Sequence, residues 1–115
     1  MRSESLRSVL DSFEERPLSV PEAPSGADLK QWRDHIDEID RILLHLINER
    51  SRSANAIGQI KQHLDLPIYA PRREQAVIEN VLSANQGPLS NRAVRRIFER
   101  LIDETRSLER QKYQK

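Results

Sequence analysis

The chain has 115 residues, enough for one domain. It is 37% hydrophobic, only 4% aromatic and 32% charged, and 19 Lys+Arg against 18 Asp+Glu leave a net charge of +1. Three glycines and six prolines argue against an all-β fold, the lack of cysteine excludes a disulfide framework, a thiolate zinc site and a cysteine nucleophile, and no apolar run approaches the ~20 residues needed to span a bilayer.

Residues 1–28 form an N-terminal extension. The opening MRSESLRSVLDSFEERP lacks the apolar stretch of a secretory signal, so a cytoplasmic place with no membrane partner is expected. Leu6, Val9, Leu10 and Phe13 recur at helical spacing and predict about three turns between Ser5 and Glu15. Pro17, Pro21, Pro24 and Gly26 then predict an extended linker. A docked helix and a flexible tail are both open readings of this part. The extension holds three basic and six acidic groups, a net of −3, so the remainder carries 16 basic and 12 acidic groups, a net of +4. A modest cationic body suits small anions better than a nucleic-acid duplex, which calls for a dense basic stripe.

Asp28 can cap a long helix, with Gln31 three residues on. Leu29, Trp32, Ile36, Ile39, Leu43 and Leu46, then Ile57, Ile60 and Leu64, follow a 4–3 repeat up to Pro67. About 36 residues at 1.5 Å each make a rod of ~54 Å, too long for the rest of the chain to cover, which implies a partner chain. Pro71 at a first helical position opens a second, short helix over 71–84, carrying Val77, Ile78, Val81 and Leu82. Gln86-Gly87-Pro88 stops it. Ser90 caps a third, medium helix to about Tyr113, with Val94, Ile97, Phe98, Leu101, Ile102 and Leu108 on one side. The body, residues 29–115, thus reads as all-α with three helices.

The informative positions are those where an apolar stripe turns polar. Arg50 occupies a core-type position of the long helix, and Lys61, eleven residues on, lies only ~20° round it at ~100° per residue. Ser51, Ser53, Ala54 and Gly58 around them are small. This describes either an anion pocket or two snorkelling cations paired with internal carboxylates. Arg73 and Glu74 stand in the first turn of the second helix, where an arginine opposes the helix dipole. Facing inward, Arg73 would offer a bidentate fork to a carboxylate. Thr105 is in register with Phe98, Leu101 and Leu108, with Glu109 one turn later. Taken singly, Thr105 reads as a core residue bonded to its own backbone and Glu109 as solvated. Arg33 lies ~25 Å before Arg50 and ~42 Å before Lys61 along a straight helix, so it cannot reach the same small ligand from the same chain, whereas an antiparallel partner helix could bring it there. Asp34, Asp37, Glu38 and Asp40 read as a solvated face, and His35, His45 and His63 as solvated histidines without metal-ligand spacing. No P-loop, dinucleotide fingerprint or zinc motif is present.

Together, LKQWRDHIDEIDRILL at 29–44, LINER at 46–50, IGQIK at 57–61, PIYAPRRE at 67–74 and GPLS at 87–90 resemble the all-helical (type II) chorismate mutases, in register over about residues 29–112. The resemblance implies an intertwined homodimer with two active sites that converts chorismate to prephenate in aromatic amino-acid biosynthesis, without metal or cofactor. It implies that Arg50 and Arg73 bind the two substrate carboxylates, with Arg33 crossing from the other subunit and Thr105 touching a carboxylate. Lys61 would hydrogen-bond the ether oxygen of the breaking bond, with Glu109 on the same oxygen, and Glu74 would hold the ring hydroxyl. Glu109 stands where many members have Gln, and it must be protonated to donate. Thr105 stands for a more usual Ser. Ala70 stands for a common Asp, which leaves its backbone amide to reach the hydroxyl. An isochorismate pyruvate lyase-like enzyme and a non-catalytic helical dimerisation or regulatory module are the alternatives, and residues 1–28 would be the means of reaching a partner enzyme.

Overall fold

The computed structural model describes residues 5–113. Expectations that touch residues 1–4 and 114–115 lie outside the described residues. Among the described residues the chain is helical without strands: α1 (Leu6–Ser12), α2 (Gly26–His63), α3 (Pro71–Ala84) and α4 (Asn91–Tyr113). That makes four helices where the body was read as three, because the short helix of the extension forms as well. None of them is long and apolar enough to cross a membrane. Two compact units divide the chain, Met1–Glu49 and Arg50–Lys115.

In the first unit, Ser5 caps α1 by accepting from the backbone N–H of Ser8 at 3.1 Å. α1 is shorter than the three turns expected. It ends at Ser12 because Phe13 turns into extended backbone, with its N–H on the carbonyl of Leu10. Val9, 2% exposed, is its buried side chain. The linker then lies along the start of α2. Phe13 stacks on His35 with ring centres 5.7 Å apart, and the Arg16 guanidinium sits 4.7 Å from the Trp32 ring and bonds the Gln31 side chain. His35 is therefore a ring-contact residue rather than the solvated histidine expected.

α2 starts two residues before Asp28. The Ser25 backbone N–H and hydroxyl both donate to Asp28 Oδ2, at 2.8 and 3.1 Å. Ser25 is thus the residue that precedes the helix, and Asp28 reaches back as the acidic partner of a capping box. Gln31, expected in that role, instead takes Arg16. At its other end α2 stops at His63, short of Pro67. The Leu66 N–H bonds the Lys61 carbonyl at 2.8 Å, the Asp65 N–H bonds the Gln62 carbonyl at 3.3 Å, and Asp65 has φ 57°. This is a Schellman ending with an aspartate in the left-handed position usually held by glycine.

In the second unit, α3 begins at Pro71 and α4 after Ser90, whose hydroxyl accepts from the Ala93 N–H at 3.1 Å, both as the sequence predicts. α3 packs on α4, with Ile78, Val94 and Ile102 buried. The connection between them is held by Asn85, which accepts from the Gly87 N–H and donates to the Leu89 carbonyl and to Asn91. Gly87 has φ +77°, a backbone shape that glycine adopts without cost.

The aspartate at the end of α2 gives a direct check on this description. A left-handed backbone costs a non-glycine residue roughly 1 kcal/mol, and Asp65 is exposed. Asp65→Gly should therefore stabilise the protein by up to about 1 kcal/mol in chemical denaturation. Destabilisation would show that the Asp65 side chain itself holds the turn.

Candidate active site

The second unit forms a cavity of about 220 Å³ that is partly open to solvent. At ~30 Å³ per water that is room for about seven waters, the size of a small metabolite. α2 contributes Arg50, Ser53, Ala54, Ile57 and Lys61 to its wall. The α2–α3 connection contributes Ile68 and Ala70, α3 contributes Arg73, Glu74 and Val77, and α4 contributes Ile102, Thr105, Arg106 and Glu109. Of the residues singled out in the sequence, Arg50, Lys61, Ala70, Arg73, Glu74, Thr105 and Glu109 are thus brought together. Arg33 is exposed in the first unit and is not in this wall.

The spacing of the α2 residues explains their convergence. Arg50, Ala54, Ile57 and Lys61 stand four, three and four residues apart, which keeps them on one side of the helix. Ala54 is buried, and its small side chain leaves space between the two cations. Arg50 Nη1 donates to Thr105 Oγ1 at 3.1 Å, and the Thr105 hydroxyl donates to the Leu101 carbonyl at 2.8 Å. Thr105 is thus bonded to its own backbone, as it reads singly, and also accepts from Arg50. Lys61 Nζ donates to the Ile68 carbonyl at 2.9 Å, which ties α2 to the connection beyond it. Arg73 lines the cavity but stays exposed, so the inward arginine expected from the helix register sits at the open side of the wall.

Glu109 departs most from its reading as a solvated residue. It is 9% exposed, and its Oε2 is buried without a hydrogen-bond partner. Burial pushes its carboxyl above the usual glutamate range; Lys61 opposes this, and the like charge of Glu74 adds to it. A protonated Glu109 would present an O–H donor to the cavity beside the Lys61 ammonium. Four cations, Arg50, Lys61, Arg73 and Arg106, face two carboxyls, Glu74 and Glu109, in this wall. The excess of positive charge suits a small molecule bearing two negative groups. No group of three or more acidic or histidine side chains among the described residues would hold a metal ion.

Arg106 is the cavity residue that sequence reasoning missed. Its Nη2 lies 3.3 Å from Glu74 Oε1 and 2.7 Å from Asp103 Oδ1. The only available signal was its place four residues after Ile102 and three before Glu109. The arginines at 92, 95, 96 and 100, interleaved with Glu99, Asp103 and Glu104, hide that signal on a helix of mixed charge.

A family model described as chorismate mutase type II matches residues 32–110. A bifunctional chorismate mutase/prephenate dehydratase of Aquifex aeolicus is 38% identical over 87 residues, covering 72% of this chain and 24% of the relative. One of Neisseria gonorrhoeae is 40% identical over 78 residues, covering 68% of this chain and 21% of the relative. The chain therefore spans about a quarter of the length of these bifunctional relatives. A chorismate mutase of Methanocaldococcus jannaschii is 34% identical over 85 residues, covering 72% of this chain and 85% of that protein.

The Glu109 environment has a thermodynamic consequence. A carboxyl whose folded-state pKa is raised favours the fold at low pH, and that contribution is lost as pH rises through the raised value. Glu109→Gln imitates the neutral acid and does not titrate. The melting temperature of the variant should therefore gain on that of the wild type as pH rises from below about 4, where free glutamate is neutral, to 8. A difference that stays constant across this range would mean that Glu109 is not kept from water.

Proposed function

Because this chain belongs to the type II chorismate mutase family, we propose that its cavity takes chorismate and rearranges it to prephenate, a step toward phenylalanine and tyrosine. The observation that carries the reading is the gathering of Arg50, Lys61, Arg73, Glu74, Thr105 and Glu109 around one metabolite-sized cavity with an excess of positive charge. Chorismate is a dianion, and its conversion breaks one ether C–O bond and forms one C–C bond within the same molecule. Nothing leaves and nothing is added, so the protein has two tasks. It must hold the reactive conformer, and it must stabilise the negative charge that grows on the ether oxygen.

Arg50 and Arg73 are the carboxylate ligands in this reading. Arg50 is the better fixed, through its bond to Thr105, which itself touches a carboxylate. Lys61 and protonated Glu109 donate to the ether oxygen. Their neighbourhood supports the pairing, since Lys61 acts electrostatically on Glu109 and Oε2 of Glu109 is still without a partner. Glu74 accepts from the ring hydroxyl, with the Ala70 backbone amide beside it.

The working enzyme in this reading is an intertwined homodimer in which each chain supplies its body of three helices, and Arg33 completes the site of the other subunit. Exposed apolar side chains support a second copy. Leu29, Ile36, Leu43 and Leu46 in the first unit, and Ile57, Ile60 and Leu64 in the second, are each 46–58% exposed. They keep the 4–3 spacing with which helices pair.

Purified protein should therefore consume chorismate, followed by its loss of absorbance, and Lys61→Ala should lower the rate by about 10²–10³. Near wild-type turnover in that variant would contradict the role of Lys61. Activity should fall as pH rises through the raised Glu109 value, since only the protonated acid donates, and Glu109→Gln should flatten the profile. A wild-type profile already flat from pH 5 to 9 would contradict it. Sharing of the site is tested by mixing Arg33→Ala with Lys61→Ala chains after unfolding and refolding together. If Arg33 crosses, each mixed dimer holds one intact site, and random mixing restores about a quarter of wild-type activity. If Arg33 serves its own chain, both sites of a mixed dimer stay impaired and no activity returns.

A further inference from the structure

Arg106 is the one cation of the cavity wall to which the family resemblance gives no task. It stands on α4 between Ile102 and Glu109, and a single nitrogen, Nη2, bridges Asp103 of its own helix and Glu74 of α3. Its guanidinium also lies over the Tyr69 ring, 5.2 Å from the centre, in the connection that leads into α3. The side chains of Arg106 and Glu74 are 23% and 27% exposed, so solvent screens this pair far less than Lys30–Asp34 on the surface, at 75% and 60%. Asp103, itself 60% exposed, and the Tyr69 ring flank the guanidinium, which in turn lies against one oxygen of Glu74. Position 70 beside it offers no carboxylate, because it is alanine. Glu74 is the acidic side chain that α3 brings to the wall, and an ionised carboxylate only accepts hydrogen bonds.

We infer that Arg106 is a positioning residue that acts through Glu74. It holds Glu74 Oε1 and leaves the second oxygen to accept from the ring hydroxyl of the substrate, and it thereby sets how strongly the site prefers a hydroxyl-bearing dicarboxylate. This rests on the chorismate reading above. A site arranged to bond a hydroxyl disfavours the analogue that lacks it, because its part-buried acceptor, here Glu74, then loses that partner. Arg106 is therefore expected to matter for ligands with the hydroxyl and to be silent for ligands without it. A residue that merely held α3 to α4 would affect both alike.

The experiment compares wild type, Arg106→Met, Arg106→Lys and Glu74→Gln, with Arg106→Gln as a second neutral side chain and circular dichroism to follow folding. Two readouts are taken: chorismate kinetics, and calorimetric binding of a non-reacting ring dicarboxylate with and without its ring hydroxyl. Arg106→Met and Arg106→Gln should raise KM roughly five- to tenfold with kcat changed by less than about twofold, and should reduce the preference for the hydroxylated ligand by the same factor. Arg106→Lys keeps the cation and should recover most of the loss. In the Glu74→Gln background, removal of Arg106 should add nothing further. An equal effect in both backgrounds, an equal loss of affinity for both ligands, wild-type behaviour of the neutral variants, or no hydroxyl preference in the wild type would each overturn the inference. A wild type that binds with hydroxyl preference but does not consume chorismate would overturn the proposed reaction and leave the role of Arg106 standing.

Discussion

The hydrogen bond from Arg50 to Thr105 joins α2 to α4 at a position where the pattern of α2 calls for an apolar side chain. Arg50 falls seven residues after Leu43 and seven before Ile57, so the heptad that repeats leucine and isoleucine is broken by a guanidinium. A cation there needs partners, since a half-buried charge without them is costly. Thr105 supplies one of them while its own hydroxyl donates to the Leu101 carbonyl, which fixes the direction from which it accepts. The cavity between the helices exists because this contact is polar and short on bulk. Ala54 and Ser53 beside Arg50 do not fill the space that a larger pair would close.

The same cavity contains its own electrostatic opposition. Lys61 favours the ionised form of Glu109, while burial and Glu74 favour the neutral one. Burial is the largest of these effects, so the balance moves Glu109 toward the neutral acid, and its Oε2 is left without a hydrogen-bond partner. Glu74 is held differently, by the arginine at 106, and remains the acceptor of the wall. Two carboxyl groups in one small space thus meet different neighbours: Glu109 is buried with an unpartnered oxygen, while Glu74 lies against the Arg106 guanidinium. That division matters for a substrate carrying both a hydroxyl that donates and an ether oxygen that accepts.

Much of this is legible in the sequence itself, for identifiable reasons. Pro71 and Ser90 mark helix starts by chemistry that acts on the adjacent backbone, and both starts stand where the sequence puts them. The ends of α2 were not legible. Ser25 and Asp28 compete with Asp28 and Gln31 as a capping pair, and the structure takes the first, with Gln31 bonded to Arg16 instead. At the other end an aspartate takes the left-handed turn that a glycine would have announced. For the site, helix register put Arg50 and Lys61 on one face of α2 and the family resemblance joined Arg73 and Thr105 to them, but neither says anything of depth. Arg73 is exposed and Glu109 buried, each opposite to its simplest reading. Arg106 was lost among similar arginines, because what distinguishes it is Glu74 on another helix.

The shortage of aromatic mass in the composition bears on how such a chain stays folded. Among the described residues the buried apolar side chains are small or medium, Val9, Ile42, Ala54, Ile78, Val94 and Ile102, while Leu29, Ile36, Leu43, Ile57 and Leu64 remain about half exposed. Covering a leucine or isoleucine contributes roughly 1.5–3 kcal/mol for each side chain fully removed from water. The exposed set thus represents stabilisation that one copy leaves unused, of the order of a small domain's whole stability. In the proposed dimer the stripe that recruits the second copy is also the stripe that Arg50 interrupts. Assembly and catalysis then draw on one helix. The apolar heptad positions hold the partner, and the polar one faces the substrate. A change of register in α2, a helix of 38 residues in a chain of 115, would in that arrangement cost both at once.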